Sequence, residues 1–471
     1  MSEGVKEYSV EEAVPQEGRH YGFWEMVATW IGANANTSSW YTGGVVAAMG
    51  FSGAIAVILI ANPIAYVIMA LIGYMGYKVG TTTMGLARVP FGIKGSILPS
   101  VLNMTQFIGW CASNTFIAAI AMSFLFNQLW GWPALGMEGS WWTLALGVLI
   151  CCTLQGWMAA VGGSRSIKVA ENIAATLLVI LTIWETVVIL QHWPLIDIMA
   201  WKAPLELHMP FGVGMDVMAA FSLGWVPAIA EFTRYTKNKV SSTVAPMIGA
   251  NVALFWFAVV GLIGVIATTM ATGQFDPNTS DPSSIMGQLG LGWVAFLVLI
   301  LATVTTNCVN IYAAGMSSVN IWPKMPVFKS LWIVAILCTF VSLVPIVIGS
   351  FLDAFMGFLG YVGLIFAPLF AIMIVDFYIL RKQKYDWSQA AKVNGKYWYN
   401  NGINWRAIAA WVIGVIAYVI LKNSVFIMGT IGAIYSTLIV TAIVYWLIGR
   451  GAIDPAELAE DISTPSTSVT E

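Results

Sequence analysis

WIGANANTSSWYTGG, residues 30–44, interrupts the first long apolar segment of the chain with a run of polar and small side chains. Asn, Ser and Thr compete with a helix by bonding to nearby backbone groups, and Gly leaves the backbone too free. The run from Asn34 to Ser39 lies close to the middle of a segment that is long enough to cross a bilayer. It therefore predicts a helix that is unwound halfway across a membrane.

The overall composition also indicates a membrane protein. Of the 471 residues, 59% are apolar and 9% are charged, and the mean hydropathy is +0.80. A soluble protein has about 25% charged residues, so most of this surface must face lipid. The net charge of −2 gives no sign of a nucleic-acid partner. The five cysteines all lie in apolar runs, without the spacing of a disulfide framework or a metal site.

Twelve apolar segments approach the length of about 20 residues that a membrane-spanning helix needs. We number them spans 1 to 12, in the order 22–44, 49–78, 97–128, 141–161, 167–191, 211–234, 244–271, 291–322, 329–349, 353–379, 405–421 and 425–448. They define a predicted membrane domain at 21–450. The flanking residues 1–20 and 451–471 are polar, and we expect both to be disordered cytoplasmic tails.

The distribution of Lys and Arg predicts the orientation of the chain. With the N-terminus in the cytoplasm, all of the 21 basic residues except Lys202 and Lys422 fall in cytoplasmic segments. This bias follows the positive-inside rule. We therefore expect an inner (plasma) membrane protein with both termini in the cytoplasm.

Span 6 contains a second interruption. It reads AAFSLGWVPAIAEF at 219–232, with Gly224, Trp225 and Pro227 near its midpoint. A proline inside a helix removes one hydrogen bond and clashes with the preceding turn. Spans 1 and 6 each begin a set of five, and paired interruptions at matching positions of two halves are typical of a transporter binding site. The alternative is a pair of ordinary kinks.

Spans 3 and 8 place further polar residues at the same depth. Trp110 and Asn114 in span 3 are four residues apart and share one helix face. Because tryptophan usually lies at the membrane interface, this pair indicates a ligand site. The alternative is a packing tryptophan beside an asparagine that bonds two helices together. Span 8 contributes Thr305, Thr306, Asn307 and Asn310.

These residue types describe the expected ligand. Aromatic faces stack on flat rings, an Asn amide both donates and accepts hydrogen bonds, and no Lys, Arg or His lies among these residues. A neutral heterocycle with ring N–H and C=O groups fits such a site. The alternative is an amino-acid or amine transporter of the same fold, which would need a partner for an ionic group. A membrane enzyme would need clustered carboxylates or metal ligands, and the sequence shows no such cluster.

Several stretches resemble the nucleobase–cation symporter-1 family. The loop GLARVPFGIKGSILPS at 85–100, which leads into TQFIGWCASN at 105–114, is similar to the family pattern LAR-x-x-FG-x-KGS-x-x-PS before the third helix. The others are YTGG at 41–44, AEFTRYTKN at 230–238 and TTN-x-x-x-x-YAAG at 305–315. They follow in the family's order over residues 20–450, and the Asn-rich span 1 looks most like the purine–cytosine permease branch.

The resemblance implies an all-α membrane protein with the leucine-transporter-type fold. Residues 21–191 and 211–379 would form two inverted repeats of five helices, with the first helix of each repeat broken, and 405–448 would add two helices. It also implies a secondary transporter that imports a nucleobase, such as a purine or cytosine, or a related ring, by alternating access together with a cation. We expect a monomer in lipid and no enzymatic activity.

The resemblance implies the substrate contacts as well. Family members stack the ring between aromatic residues of the third and sixth helices and bind its polar groups from the third, sixth and eighth. The matching positions, to which we add Asn36 from the break in span 1, are Trp110, Asn114, Phe221 or Trp225, Ser222, the Gly224 backbone, and Asn307 or Asn310. Bacterial cytosine permeases have Gln in place of Phe107 and Asn in place of Ala302, so purines, other pyrimidines and vitamin-like rings stay open.

Sodium is the expected coupling ion. A hard cation inside a membrane needs several oxygens to replace its water, and an unwound helix offers free carbonyls. The positions that match the family's sodium site are the carbonyls of Gly32, Ala35 and Ala302 and the hydroxyls of Thr305 and Thr306. The alternatives are that both threonines bond back to their own helix and that protons drive transport, as in fungal relatives. No other cofactor is expected.

Carboxylates inside the predicted spans, such as Glu185, Asp216 and Asp353, have no role in this scheme. Glu185, Asp216 and Asp353 are each near a span end, so we expect solvent to reach them. Neutralising Glu185 or Asp216 is therefore expected to leave the ion dependence of transport unchanged.

Overall fold

The computed structural model describes residues 12–161, 164–321 and 325–452, so residues 1–11 of the predicted tail 1–20 and residues 453–471 of the predicted tail 451–471 lie outside the described residues. In the described ranges the regular structure is helical, apart from two isolated β-bridges. The all-α architecture is confirmed. The α-helices, numbered in chain order, are α1 (Phe23–Asn34), α2 (Thr37–Val46), α3 (Gly50–Val79), α4 (Thr83–Leu86), α5 (Arg88–Phe91), α6 (Ile97–Trp130), α7 (Ser140–Val161), α8 (Ser164–His192), α9 (Leu195–Ala200), α10 (Phe211–Leu223), α11 (Ile229–Thr233), α12 (Lys239–Thr272), α13 (Pro282–Gln288), α14 (Trp293–Ile321), α15 (Val327–Ser342), α16 (Val344–Ile348), α17 (Phe351–Ile374), α18 (Trp405–Lys422), α19 (Val425–Gly429) and α20 (Ala433–Gly449).

Within the described residues, ten helical stretches are long and apolar enough to cross a membrane. Each overlaps at least one predicted span, but two spans do not form separate helices of that length. The second half of span 1 runs into span 2 as Thr37–Val79, with only Gly50, at φ +75°, interrupting the helical geometry. Span 12 shortens to the 17 residues of α20. The count of twelve helices therefore stays a prediction.

The structure breaks span 1 at the position expected from its sequence. α1 ends at Asn34, Ala35 and Asn36 leave the helical region with ψ of 71° and 166°, and α2 begins at Thr37. The Asn36 side chain caps α2, because its Oδ1 accepts the backbone N–H of Ser39 at 2.9 Å. Asn is among the best N-cap residues, so the same residue type that ends one helix also starts the next.

Span 6 is broken as well. A turn at Gly224 and Trp225 and a 3₁₀ turn at Val226–Ala228 separate α10 from α11. The Ala228 N–H bonds to the Trp225 carbonyl, so the Gly224 carbonyl has no backbone partner of the usual helical kind. A side chain of α6 takes the place of the missing backbone donor, since Gln106 Nε2 donates to the Gly224 carbonyl at 3.0 Å. Pro227, which has no N–H to offer, favours the interruption.

The long helix α6 lies in the interior of the bundle, where it packs against α7 and α14. Both halves of span 1 pack against α12, and glycines bring the backbones together. A Cβ atom at Gly43 would come within 1.9 Å of the Ala258 carbonyl oxygen, and one at Gly261 within 2.0 Å of the Trp40 carbonyl oxygen. This close contact holds the break of span 1 in place beside α6 and α14.

The last span differs from the prediction, and a carboxylate explains the difference. After α19 the chain turns at Gly432, whose φ of +79° suits glycine, and the helix restarts at Ala433. Asp216 of α10 caps this restart, because its two oxygens accept the N–H groups of Ala433 and Ile434, each at 2.9 Å. Asp216 is therefore buried, 8% exposed, and the prediction that solvent reaches it is wrong.

Part of the N-terminal segment is ordered, contrary to the prediction of a disordered tail. Val14 is buried, and its N–H donates to the Gly80 carbonyl beyond the end of α3 at 2.9 Å. The Tyr21 N–H donates to the Tyr235 carbonyl, close to the end of span 6, at 3.0 Å. These contacts fix residues 12–20 against the ends of two spans.

The orientation can be tested with single cysteines, because all five native cysteines are buried. Val393→Cys changes a position that is 67% exposed in a loop rich in Lys and Arg. We expect it to react with a membrane-impermeant maleimide only in opened cells, since basic loops stay in the cytoplasm. Gln274→Cys lies in an exposed loop without basic residues and is expected to react in intact cells. The reverse labelling pattern would contradict cytoplasmic termini.

Candidate functional site

The breaks in the first and sixth spans meet at a narrow cleft that α6 and α14 also line. Only about 10 Å³ of it accommodates the centre of a water molecule, which is room for roughly one water. No ionisable residue is among the described residues that line it. These residues are Asn36, Ser38, Phe107, Trp110, Asn114, Phe221, Gly224, Trp225, Thr306 and Asn310. All the predicted substrate contacts except Ser222 and Asn307 are among them.

The aromatic side chains of the cleft meet edge to face. The ring of Trp110 lies 5.3 Å from that of Phe221 at 78°, and 4.8 Å from that of Phe358 at 84°. Trp225 packs edge-on against Trp30, with 6.1 Å between the ring centres. A ring stacked between two parallel faces needs about 7 Å, at about 3.5 Å for each contact. The rings of Trp110 and Phe221 therefore leave no gap for a stacked ring in this conformation, and a ligand ring can enter between them only if one of these side chains moves.

Asn114 joins α2, α6 and α14 beside the cleft. Its Oδ1 accepts the hydroxyl of Ser38 and, at 3.5 Å, the hydroxyl of Thr37. Its Nδ2 donates to Asn307 Oδ1 at 3.3 Å. An amide nitrogen carries two hydrogens, so one N–H of Asn114 stays available for a ligand.

Asn307, a predicted substrate contact, lies behind the cleft and is not among the residues that line it. It is completely buried, and its Nδ2 lies 3.0 Å from each of three oxygens, on Cys111, Thr115 and Gln155. Asn310, almost one turn further along α14, lines the cleft and donates its Nδ2 to Asn307 Oδ1 at 3.1 Å. Of the two candidates on span 8, the structure brings only Asn310 to the cleft.

Ser222 also lies outside the cleft, since its buried hydroxyl donates to Asn62 of α3 at 3.3 Å. Gly224 lines the cleft through its backbone, but Gln106 already binds its carbonyl. The other end of that amide accepts the indole N–H of Trp110 at 3.3 Å. Gln106 is absent from the predicted site, although its place four residues before Trp110 puts both on one helix face.

The predicted ion ligands lie at the break in span 1 and on α14. The Ala35 carbonyl receives no hydrogen bond from any described residue, whereas the Gly32 carbonyl accepts the Ala35 N–H at 3.2 Å. The Thr305 hydroxyl donates to the carbonyls of Leu301 and Ala302 at 2.9 and 3.0 Å, as the alternative of back-bonding predicts. A donating hydroxyl keeps its lone pairs, so Thr305 can still bind a cation.

A contact between hydroxyls brings these two elements together. Thr37, two residues after Ala35, has its Oγ1 at 3.3 Å from Oγ1 of Thr303, two residues before Thr305. Thr306 lines the cleft itself. The predicted ion ligands therefore lie on neighbouring segments, directly beside the predicted substrate site.

Glu185 is buried in α8, so the prediction of solvent exposure is wrong for it, whereas Asp353 is exposed as predicted. Neither carboxyl oxygen of Glu185 has a hydrogen-bond partner among the described residues. The group lies against Gly264 of α12, where a Cβ atom would come within 2.5 Å of Oε1. An unpaired carboxylate charge is costly inside a membrane, so a proton is the cation that this group would take up.

Solved structures share this fold. The inward-facing conformation of Mhp1 matches 92% of this chain and 90% of its own, with a TM-score of 0.75 at 19% identity. A second structure shows Mhp1, a nucleobase–cation-symport-1 family transporter, in a closed conformation with bromovinylhydantoin bound. It matches 96% of this chain and 98% of its own, with a TM-score of 0.70 at 17% identity. Together with the two broken helices, these likenesses show the leucine-transporter-type fold.

Sequence comparison defines the family. The family model described as permease for cytosine/purines, uracil, thiamine, allantoin matches residues 13–449. The chain is 26% identical to the putative purine-cytosine permease YxlA of Bacillus subtilis (strain 168) over 93% of this chain and 92% of the relative. It is 27% identical to the allantoin permease of the same organism over 87% of this chain and 86% of that relative. The chain belongs to this nucleobase–cation symporter-1 family of permeases and is a transporter, not an enzyme.

Proposed function

We propose that the protein imports a neutral planar heterocycle, a nucleobase such as a purine or cytosine or a related ring, together with a cation. The observation that carries this proposal is the cleft, whose described lining combines aromatic side chains with amides and contains no ionisable group. Aromatic faces stack on flat rings, and amides pair with ring N–H and C=O groups. A charged ligand would find no counter-charge there.

The relatives support a ring of this kind. They are named as permeases for purine and cytosine and for allantoin, and the closed structure of Mhp1 holds bromovinylhydantoin. Each of these compounds carries ring N–H groups beside C=O groups or ring nitrogens. Amides such as those of Asn114 and Asn310 are suited to such an edge, because each can donate and accept.

Alternating access is the proposed mechanism. With room for about one water, the cleft is too small for a ring as it stands, so a substrate must bind when Trp110 or Phe221 has moved aside. The two helix breaks supply places where the backbone can bend. We propose that movement at these breaks opens the cleft to one side of the membrane at a time.

We propose sodium as the coupling ion. The unbonded Ala35 carbonyl and the hydroxyls of Thr305 and Thr306 lie on neighbouring segments, and unwound helices beside hydroxyl groups bind sodium in transporters of this kind. The alternative is a proton, which the unpaired carboxyl group of Glu185 favours. Sodium is preferred because its ligands adjoin the substrate cleft. We further propose that the chain works as a monomer in the inner (plasma) membrane, with both termini in the cytoplasm.

A thermal-shift screen of the purified protein tests this function. Nucleobases, vitamins and amino acids would be compared in sodium chloride and in choline chloride at equal ionic strength. A ligand that binds the folded state raises its melting midpoint, and we expect a nucleobase or related ring to do so more strongly in sodium. Stabilisation by an amino acid or amine alone would favour the other transporter class. Binding that responds to pH and not to sodium would favour protons.

A further inference from the structure

A glutamine of the fourth span lies behind the cleft. Gln155 of α7 is completely buried and does not line the cleft. Its Oε1 accepts hydrogen bonds from Asn307 Nδ2 at 3.0 Å and from the Thr115 hydroxyl at 3.3 Å, and its Nε2 lies 2.9 Å from the same hydroxyl oxygen. Gln155 is thus part of a buried polar network between α6, α7 and α14, and such a network fixes the orientation of its members.

The surroundings of Asn307 determine which way round its amide lies. The two ends of an amide have nearly the same shape, so the orientation follows from the hydrogen-bond partners. The Asn307 nitrogen faces the Cys111 carbonyl, the Thr115 hydroxyl and Gln155 Oε1. A carbonyl can only accept, so a reversed amide would place two oxygens against each other. The nitrogen must therefore face the Cys111 carbonyl and Gln155 Oε1, and the oxygen must face the cleft.

Asn307 Oδ1 in turn orients the two amides that meet a ligand. It accepts Nδ2 of Asn114 at 3.3 Å and Nδ2 of Asn310 at 3.1 Å. Asn310 consequently keeps its Oδ1 free, and no described residue donates to it. Asn114, whose Oδ1 accepts from Ser38, keeps one N–H free. The cleft therefore presents an acceptor on Asn310 and a donor on Asn114, both placed around one buried oxygen.

We propose that Gln155 is a positioning residue that, together with the Cys111 carbonyl, holds Asn307 in this orientation and so sets the donor–acceptor polarity of the cleft, and that the site accordingly takes rings with an N–H beside a C=O. The proposal rests on the proposed function, because it requires a heterocycle in the cleft. The ring N–H donates to Asn310 Oδ1, and the neighbouring C=O accepts from Asn114 Nδ2. Hypoxanthine and uracil carry such an edge, whereas 1,7-dimethylhypoxanthine and 1,3-dimethyluracil have no ring N–H left.

Gln155→Leu tests the proposal by removing both polar atoms at little change in size. We expect the variant to bind hypoxanthine or uracil roughly tenfold more weakly than the wild type, as the loss of one buried hydrogen-bonding partner would produce. Its affinity for the methylated rings, which cannot use Asn310 Oδ1, is expected to stay unchanged. The preference for the parent ring over its methyl derivative should therefore fall. This ratio is the readout that a merely structural role would not move.

Two further variants complete the experiment. Gln155→Glu keeps an oxygen for Asn307 and is expected to preserve the preference. Gln155→Asn keeps the amide but is too short to reach Asn307, so it should lose the preference even if Gln155→Leu fails to fold. Thr153→Val is the matched control, because Thr153 lies on the same helix, is exposed and bonds only to the Leu149 carbonyl. Binding is measured by calorimetry on purified full-length protein, with the unliganded melting midpoint as the check of folding.

The outcomes separate this inference from the proposed function. A Gln155→Leu or Gln155→Asn protein that keeps the full preference overturns the positioning role, as does an equal loss of affinity for parent and methylated rings. A wild-type protein that binds only rings without the N–H and C=O edge, such as adenine, retains the function but overturns the inference. A wild-type protein that binds no heterocycle at all overturns both.

Discussion

Trp110→Ala is expected to weaken binding of a heterocycle by about 1–3 kcal/mol, the contribution of base–aromatic stacking in other proteins. At about 1.4 kcal/mol for each factor of ten, the dissociation constant should rise roughly 5- to 150-fold. Trp110 contacts Phe221 and Phe358 edge to face, so its face becomes available to a ring once a neighbour moves. Asn114→Ala should cost about as much, because it removes a donor to the ligand and leaves the Ser38 hydroxyl without its acceptor.

Uptake of a labelled nucleobase and calorimetric binding measure both variants. Trp130→Ala is the matched control, since Trp130 lies on the same helix α6 but is 59% exposed at its end. We expect this control to bind and transport like the wild type. If Trp110→Ala and Asn114→Ala are well folded and also behave like the wild type, both residues only pack helices and the substrate site lies elsewhere.

Replacing Thr305 and Thr306 together by Val is expected to raise the sodium concentration for half-maximal uptake roughly tenfold or more. Each hydroxyl removed takes away a ligand that contributes about 1–3 kcal/mol to a buried polar partner. Val has nearly the shape of Thr, and the Thr305 hydroxyl only donates to carbonyls of its own helix. The helix should therefore persist, which separates loss of ion binding from loss of structure.

Sodium titrations of nucleobase uptake at constant ionic strength measure this effect. Thr176→Val is the matched control, because Thr176 is exposed on α8 and bonds back to the Asn172 carbonyl in the same way. Glu185→Gln is expected to leave the sodium response unchanged. If the double Val variant keeps the sodium response and Glu185→Gln loses it, the carboxyl group of Glu185 and not the two threonines couples transport to the ion.

The parts of the fold that could be predicted from the sequence are those that depend on local chemistry. Asn36 is a strong N-cap wherever the chain lies, and Pro227 lacks an N–H in any context, so both helix breaks could be predicted from single segments. The approximate location of the cleft could also be predicted, because the two breaks and the polar residues of spans 3 and 8 all lie near the middle of the membrane. Local signals of this kind are the ones that tertiary packing does not override.

The rest of the site depended on which helices meet. Their positions near span ends predict that solvent reaches Asp216 and Glu185. Both are buried because α20 packs against Asp216 and α12 against Glu185, and the sequence of one segment does not reveal such contacts. Asn307 and Ser222 point to other helices, because partners on α7 and α3 bind their polar groups. The aromatic sandwich depends on how the side chains of the cleft are arranged, and in this structure Trp110 packs edge to face against its neighbours.

The bond between Asp216 and the last helix also constrains how the chain is made. The two N–H groups that satisfy this carboxylate are those of Ala433 and Ile434, more than 200 residues later in the chain. At roughly 5–20 residues per second, a ribosome takes on the order of 10–40 s to supply them. Throughout that interval a carboxylate sits in a half-assembled helix bundle without its partner. Chains that stop before residue 433 never complete this bond, so the quality-control machinery of the membrane should remove them even though both helix breaks and the entire cleft have already been synthesised.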